Sequence, residues 1–230
     1  AGAVRAIGED VKSLLIHVCI VEAMGRNAGW IAAATVLARK DSGDAPYLIY
    51  LPERPFDEEA FLREVKALHE RQGGVVVVVS EGLKNRDGHP IVPPLFQTGR
   101  AVYYGDVSAY LAELVIRRLG VKARSEKPGL LGRAQTELQS PVDRDEAVQA
   151  GAEAVRALLD GQSGFMTGFE RVSTEPYRIR LIHIPLEDVT LAERTLPPEY
   201  IAPSGHDVTN AFLSWARPLL GDDFPEYFSW

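Results

Sequence analysis

The chain has 230 residues, 46% of them hydrophobic, which is enough for a sizeable core and reads as one large α/β domain with an appendage. A formal net charge of −7 and a pI near 5.3 speak against nucleic acid as a partner, so any anionic ligand has to be held by a local basic pocket. The single cysteine, Cys19, can form no internal disulfide; no apolar run is long enough to cross a bilayer and no charged-then-apolar leader opens the sequence, so we expect a cytoplasmic protein with no membrane insertion.

Val4, Ile7 and Val11 recur at helical spacing in residues 1–13, and the segment starts without methionine, as the inside of something longer would. Leu14 to Val21 is nearly all apolar, the pattern of a strand buried on both faces of a parallel sheet, with Cys19 an inert buried thiol within it. A glycine-bearing turn follows, Met24-Gly25-Arg26-Asn27-Ala28-Gly29, and then an alanine-rich helix from Trp30 to Ala38. Gly25 and Gly29 let the backbone approach a ligand, a helix start offers N–H groups to an anion, and the Arg26 fork suits phosphate. A plain strand-turn-helix with a surface arginine explains the same residues, since neither G-x-G-x-x-G nor a P-loop is present.

Tyr47 to Leu51 is a second short strand ended by Pro52, and Asp57 caps a helix with Phe61, Leu62, Val65 and Leu68 on one face. Gly73-Gly74 ends that helix, and five consecutive valines, Val75 to Val79, form a strand whose end carries Ser80-Glu81-Gly82. Ligands of open parallel sheets bind beyond the carboxyl ends of strands, so Glu22, Met24, Glu53 and Glu81 are expected along one rim, with Glu53 a solvated acid. Residues 82–103 read as a long loop, Val107 to Arg118 as an amphipathic helix closed by Gly120, and Val121 to Ser125 as another strand. Asp143 is expected to cap a helix running to Asp160, with Glu146 completing a capping box. Phe165 to Phe169 and Tyr177 to Ile184 read as paired strands, Glu187 to Arg194 as a short helix, and a last helix starts near His206, itself a local polar contact rather than a base. The expected architecture is an α/β, doubly wound, mostly parallel Rossmann-like sheet over residues 1–185, with a helical C-terminal extension at 186–230.

Val21-Glu22-Ala23-Met24-Gly25-Arg26-Asn27-Ala28-Gly29-Trp30 resembles the substrate-binding signature of the phosphofructokinases. Val-Val-Ser-Glu-Gly ending at Gly82 resembles the family's acidic sugar-binding strand end. Pro128 to Arg133 resembles its phosphate loop, departing from it at Leu130 and Gly132, and Ser140-Pro141-Val142-Asp143-Arg144 resembles the helix start that carries its second phosphate arginine. With the run from Ala192 to Tyr200, the likeness is greatest to the pyrophosphate-dependent branch and covers about Val18 to Leu219. It implies the substrate-binding portion of a glycolytic 6-phosphofructokinase, a diphosphate–fructose-6-phosphate 1-phosphotransferase that moves a phosphoryl group from pyrophosphate to the 1-hydroxyl of fructose 6-phosphate with Mg²⁺.

By that resemblance Met24, Gly25, Arg26 and Glu81 hold the sugar, Arg133 and Arg144 hold its 6-phosphate, and Arg26 also supports the transition state. His17 stands where many relatives carry an arginine that reaches a neighbouring subunit's phosphate site, which implies a homo-oligomer. The family's glycine-rich donor loop and its Thr-Ile-Asp-Asn-Asp base motif occur nowhere in the chain, so the general base and the Mg²⁺ ligands are expected in an N-terminal half, on this or a partner polypeptide. Two other readings stay open: a sugar-phosphate-binding or regulatory module without chemistry, and an ATP-dependent phosphofructokinase.

Overall fold

The computed structural model describes residues 1–14, 17–41, 43–99, 101–189, 193–221 and 224. It divides into two compact units, Ala1–Gln135 with Arg194–Phe212, and Thr136–Glu193 with Leu213–Trp230. The division falls at other places than the expected boundary at 185, because the chain leaves the sheet unit after Gln135 and returns to it at Arg194.

The first unit opens with helix α1 (Gly2–Ser13), whose Val4 and Val11 are buried as their spacing predicts. Strand β1 (Val18–Ala23) leads through the glycine turn into α2 (Trp30–Ala34), which tightens into a 3-10 turn over Thr35–Ala38. The expected start of β1 at Leu14 is not seen, and Leu15 and Ile16 lie outside the described residues. Strand β2 (Leu48–Tyr50) is followed by α3 (Glu58–Gln72), capped by Asp57 through its side chain to the Ala60 N–H at 2.9 Å. Then come β3 (Val75–Ser80), a hairpin of β4 (Pro94–Thr98) and β5 (Ala101–Tyr104), α4 (Val107–Leu119), β6 (Ala123–Glu126) and the short α5 (Leu131–Ala134). The hairpin occupies the expected loop at 82–103; the prolines and polar residues there hid a short antiparallel pair with no hydrophobic alternation to announce it.

The sheet runs β2-β3-β1-β6 with every pair parallel, as expected for the fold class. Successive strand residues face opposite ways, yet all five valines of β3 are fully buried, so both faces are covered. Phe61 and Val65 of α3 and Leu111 and Val115 of α4 pack with Val18, Ile20, Val75, Val77 and Val79 into one core, while α1 and α2 lie against β1 and β3. Each such fully buried side chain contributes about 1.5–3 kcal/mol of hydrophobic stabilisation.

The second unit is helix α6 (Pro141–Leu159) with the antiparallel pair β7 (Phe165–Thr174) and β8 (Tyr177–Pro185). The capping expectation is corrected here. Ser140, not Asp143, is the cap: its Oγ accepts from the Asp143 N–H at 3.2 Å, and Pro141 takes the first helical position, where a missing N–H costs nothing. Glu146 makes no capping box and instead accepts from the Tyr177 hydroxyl at 2.6 Å. The expected helix at Glu187–Arg194 is reduced to a 3-10 turn at Leu186–Asp188, with residues 190–192 outside those described. The last helix, α7 (Asn210–Ala216), begins four residues beyond His206.

Candidate functional site

The neighbouring strands β1 and β3 end together, Ala23 opposite Ser80, so the turn after β1 lies directly against Ser80-Glu81-Gly82. That register brings Glu81 to the turn. Its Oε1 accepts from both the Gly25 N–H at 3.1 Å and the Arg26 N–H at 3.0 Å, while its own N–H donates to the Ala23 carbonyl. Oε2 accepts no hydrogen bond among the described residues.

Two more amides of the turn are used internally. Ala28 donates to the Gly25 carbonyl at 3.0 Å, and Gly29 donates to Glu53 Oε1 at 2.8 Å. The expectation that backbone N–H groups here receive an anion is corrected for Gly25, Arg26 and Gly29, whose N–H groups two carboxylates already occupy, and α2 is a single short turn. What the turn offers an anion is the Arg26 side chain, which is exposed and has no ion-pair or hydrogen-bond partner among the described residues.

Glu53 is likewise not the solvated acid expected. Its Oε1 also accepts from the Leu196 N–H at 2.7 Å, joining the helix start to the returning segment, while Oε2 is buried without a hydrogen-bond partner among the described residues. Gly29 is needed beside it, since a Cβ there would come within 2.6 Å of that oxygen. The returning segment is held further by Trp30, whose indole Nε1 donates to the Arg194 carbonyl at 2.7 Å and whose ring meets Tyr200 and Phe212. A carboxylate at a strand end looks the same in sequence whether water or amides surround it, and nothing local to Glu53 marked Leu196 as its partner.

Glu22, the third acid expected on the rim, is 2% exposed and turned inward. Its Oε2 accepts from the N–H of Ser108 at 2.9 Å and lies 3.3 Å from the Ser108 hydroxyl, so it caps α4 from a different strand. Lys127 Nζ stands 2.9 Å from Glu22 Oε1 and 2.5 Å from Asp106 Oδ1. Burial lowers the Lys127 pKa, but the hydrogen bond to Asp106 and the ion pair with Glu22 outweigh it and hold the ammonium charged well above its ordinary range. This pair anchors the residue just before Pro128, where the loop toward Arg133 begins. Sequence reading missed both Lys127 and Ser108; only the closeness of β1 to β6 and α4 brings them to Glu22.

Met24 and Gly25 sit half-buried in the turn. Arg133, on α5 in the sheet unit, is exposed and has no side-chain partner among the described residues. Arg144 belongs to the second unit, is exposed on the first turn of α6, and pairs with Asp145 at 3.2 Å. His17 lies at the amino end of β1, roughly 23 Å along the strand from Met24 at about 3.3 Å per residue, with its ring edge-on to His69 at 5.1 Å. Within one chain it is remote from Arg26. Cys19 is buried, and burial chiefly, with Glu126 and Asp10 adding, pushes its thiol from 9.0 up to about 12, as an inert thiol requires. His206 keeps its Nδ1 buried without a hydrogen-bond partner among the described residues, while its carbonyl accepts from Ile49.

A family model described as phosphofructokinase matches residues 1–158. The chain belongs to the phosphofructokinase family. It is 37% identical over 214 residues to the pyrophosphate–fructose 6-phosphate 1-phosphotransferase of Rhodospirillum rubrum, covering 89% of this chain and 52% of that one. To the enzyme of the same name from Xanthomonas campestris it is 37% identical over 231 residues, covering 98% and 55%. The crystal structure of the pyrophosphate-dependent phosphofructokinase from Marinobacter aquaeolei superposes with a TM-score of 0.83 at 31% identity, over 98% of this chain and 54% of that one. The chain thus spans about half the length of the curated relatives it matches.

Proposed function

We propose that this chain is the fructose 6-phosphate-binding portion of a pyrophosphate-dependent phosphofructokinase, a diphosphate–fructose-6-phosphate 1-phosphotransferase. The observation that carries the reading is Arg26: an exposed guanidinium, unpartnered among the described residues, on a turn whose Gly25, Arg26 and Gly29 N–H groups are already taken by carboxylates, in a chain similar to pyrophosphate-dependent enzymes across its length. Free guanidinium is what a phosphoryl group with charge on its oxygens needs, because phosphoryl transfer depends on positioning and charge neutralisation. In this reading Met24 and Gly25 form the floor of the sugar site and Glu81 Oε2 accepts a sugar hydroxyl. Arg133 and Arg144 take the 6-phosphate, and Arg26 steadies the group in transit. His17 serves the phosphate site of a neighbouring copy in a homo-oligomer. The setting is the cytoplasm and glycolysis; among the described residues no helix is long and apolar enough to cross a membrane.

The family implies Mg²⁺; among the described residues no three His, Cys, Asp or Glu side chains gather as ligands. Magnesium, the general base and the residues that admit pyrophosphate rather than ATP are assigned to the part of the longer relatives that this chain does not cover. The same observation supports the second reading, a sugar-phosphate module that binds without turnover. A coupled assay with magnesium, fructose 6-phosphate and either donor separates the readings when run on the chain alone and with its upstream half. We expect no turnover from the chain alone and a higher kcat/KM for pyrophosphate in the reconstituted enzyme. Absence of fructose 6-phosphate binding by calorimetry would overturn both readings.

A further inference from the structure

Arg26 is the one described non-glycine residue with a positive φ, 52°. The left-handed region costs an L-residue with a Cβ about 1–2 kcal/mol and is visited mostly by Gly, Asn and Asp. Asn27 stands next in the chain, yet the arginine takes the strained position. Such strain persists only where the surroundings over-determine it.

The surroundings here are three consecutive residues at the end of β3. Glu81 Oε1 holds the Arg26 N–H and, with it, the preceding one at Gly25. The fully buried Ser80 donates its Oγ to the Arg26 carbonyl at 3.3 Å and accepts from the Gly82 N–H at the same distance. Gly82 lies so close that a Cβ on it would fall 1.7 Å from the Arg26 carbonyl oxygen and 2.4 Å from its carbon. Both peptide groups of Arg26 are thus held by residues more than fifty positions away, and no side chain can be added at 82 without moving the arginine.

We infer that Ser80, Glu81 and Gly82 form a backbone clamp that positions Arg26, keeping its peptide left-handed so that a pre-organised turn presents the exposed guanidinium, unpartnered among the described residues, to an anion. The inference rests on the reading of Arg26 as that ligand. It assigns Ser80 and Gly82 a role the resemblance does not give them, and it gives Glu81 a second one: Oε1 holds the arginine's backbone while Oε2 meets the sugar. A clamp of this kind lowers the ordering cost of binding, because the turn is already in its bound shape.

The test uses the 230-residue chain, its Gly82→Ala and Ser80→Ala variants, and Arg26→Ala alone and combined with Gly82→Ala. The first readout needs no ligand: the intraresidue HN–Hα cross-peak of residue 26 is strong only when φ is positive. We expect it in the wild type and its loss in Gly82→Ala, with the amide signals of the β1 and β3 interiors in place. The second readout is calorimetry with fructose 6-phosphate. Gly82→Ala should weaken binding by about tenfold or more, as losing a charge-assisted contact does, and adding Arg26→Ala should weaken it no further. Ser80→Ala, a gentler change that serves if Gly82→Ala does not fold, should weaken binding about threefold, as suits one long neutral hydrogen bond. Retention of the positive φ in both clamp variants would overturn the inference, and so would additive losses from Gly82→Ala and Arg26→Ala. A wild type with no affinity for fructose 6-phosphate would instead remove the proposed function, leaving the backbone readout to decide the clamp.

Discussion

Arg26 and Arg144 are the same residue type put to the same proposed use, and the molecule prepares them in opposite ways. Arg26 stands on a turn fixed by residues from another strand, and its guanidinium is unpartnered among the described residues. Arg144 stands on the first turn of α6, is positioned by helix geometry and the local Ser140 cap, and pairs with Asp145 beside it. Rigidity follows the same division: β1 and β3 beneath Arg26 are buried on both faces, whereas Ala157 is the buried residue of α6. A long-range clamp on a buried sheet fixes the backbone that carries the side chain before the ligand arrives. A local helix start leaves the ligand to draw Arg144 from its neighbour.

The largest test of that contrast is Glu81→Ala. It leaves the Gly25 and Arg26 N–H groups without their acceptor, and losing hydrogen bonds to a charged group of this kind should cost about 3 kcal/mol of stability. Glu81→Gln keeps an acceptor oxygen and should recover at least half of that loss in urea unfolding. Equal losses in the two variants would mean that Glu81 does not hold the turn.

Removing an arginine proposed as a phosphate ligand should act on binding rather than folding. Arg133→Ala and Arg144→Ala should each weaken fructose 6-phosphate by about 2–3 kcal/mol while urea midpoints stay put. In addition, Asp145→Asn should tighten binding, since it releases Arg144 from its ion pair. Unchanged affinity in both arginine variants would remove them from the site.

The buried side of the comparison also has an alkaline signature. The Cys19 thiol is raised in the folded state from 9.0 to about 12, so its contribution is fully present below pH 9 and is lost as pH climbs toward the folded value. Between pH 9 and 10.5 the wild type should lose roughly 2 kcal/mol relative to Cys19→Ala, at about 1.36 kcal/mol per pH unit. Parallel pH profiles would show that the thiol ionises as readily in the fold as outside it.

The smallest effect belongs to the local side. Ser140→Ala removes the α6 cap and should cost about 1 kcal/mol, and Asp143→Ala should cost less, because Asp143 is not the cap. The reverse order, read from chemical unfolding, would restore Asp143 to the position first expected for it.

What the sequence determined by itself is what depends on near neighbours. The five valines, the Asp57 cap, the glycine stops at Gly73 and Gly120, and the turn between β1 and α2 were all legible, because burial pattern, capping and φ preference act within a few residues. The family signature was legible for the same reason, being a string of ten adjacent residues. Only the tertiary structure decided what the carboxylates do. Glu22, Glu53 and Glu81 looked alike at strand ends, yet one caps α4 from β1, one joins Gly29 to Leu196, and one clamps Arg26. The physical reason is that a carboxylate takes whichever donors the fold brings within hydrogen-bond distance, and for Glu22, Glu53 and Glu81 the farthest of those donors lie 86, 143 and 56 residues away along the chain.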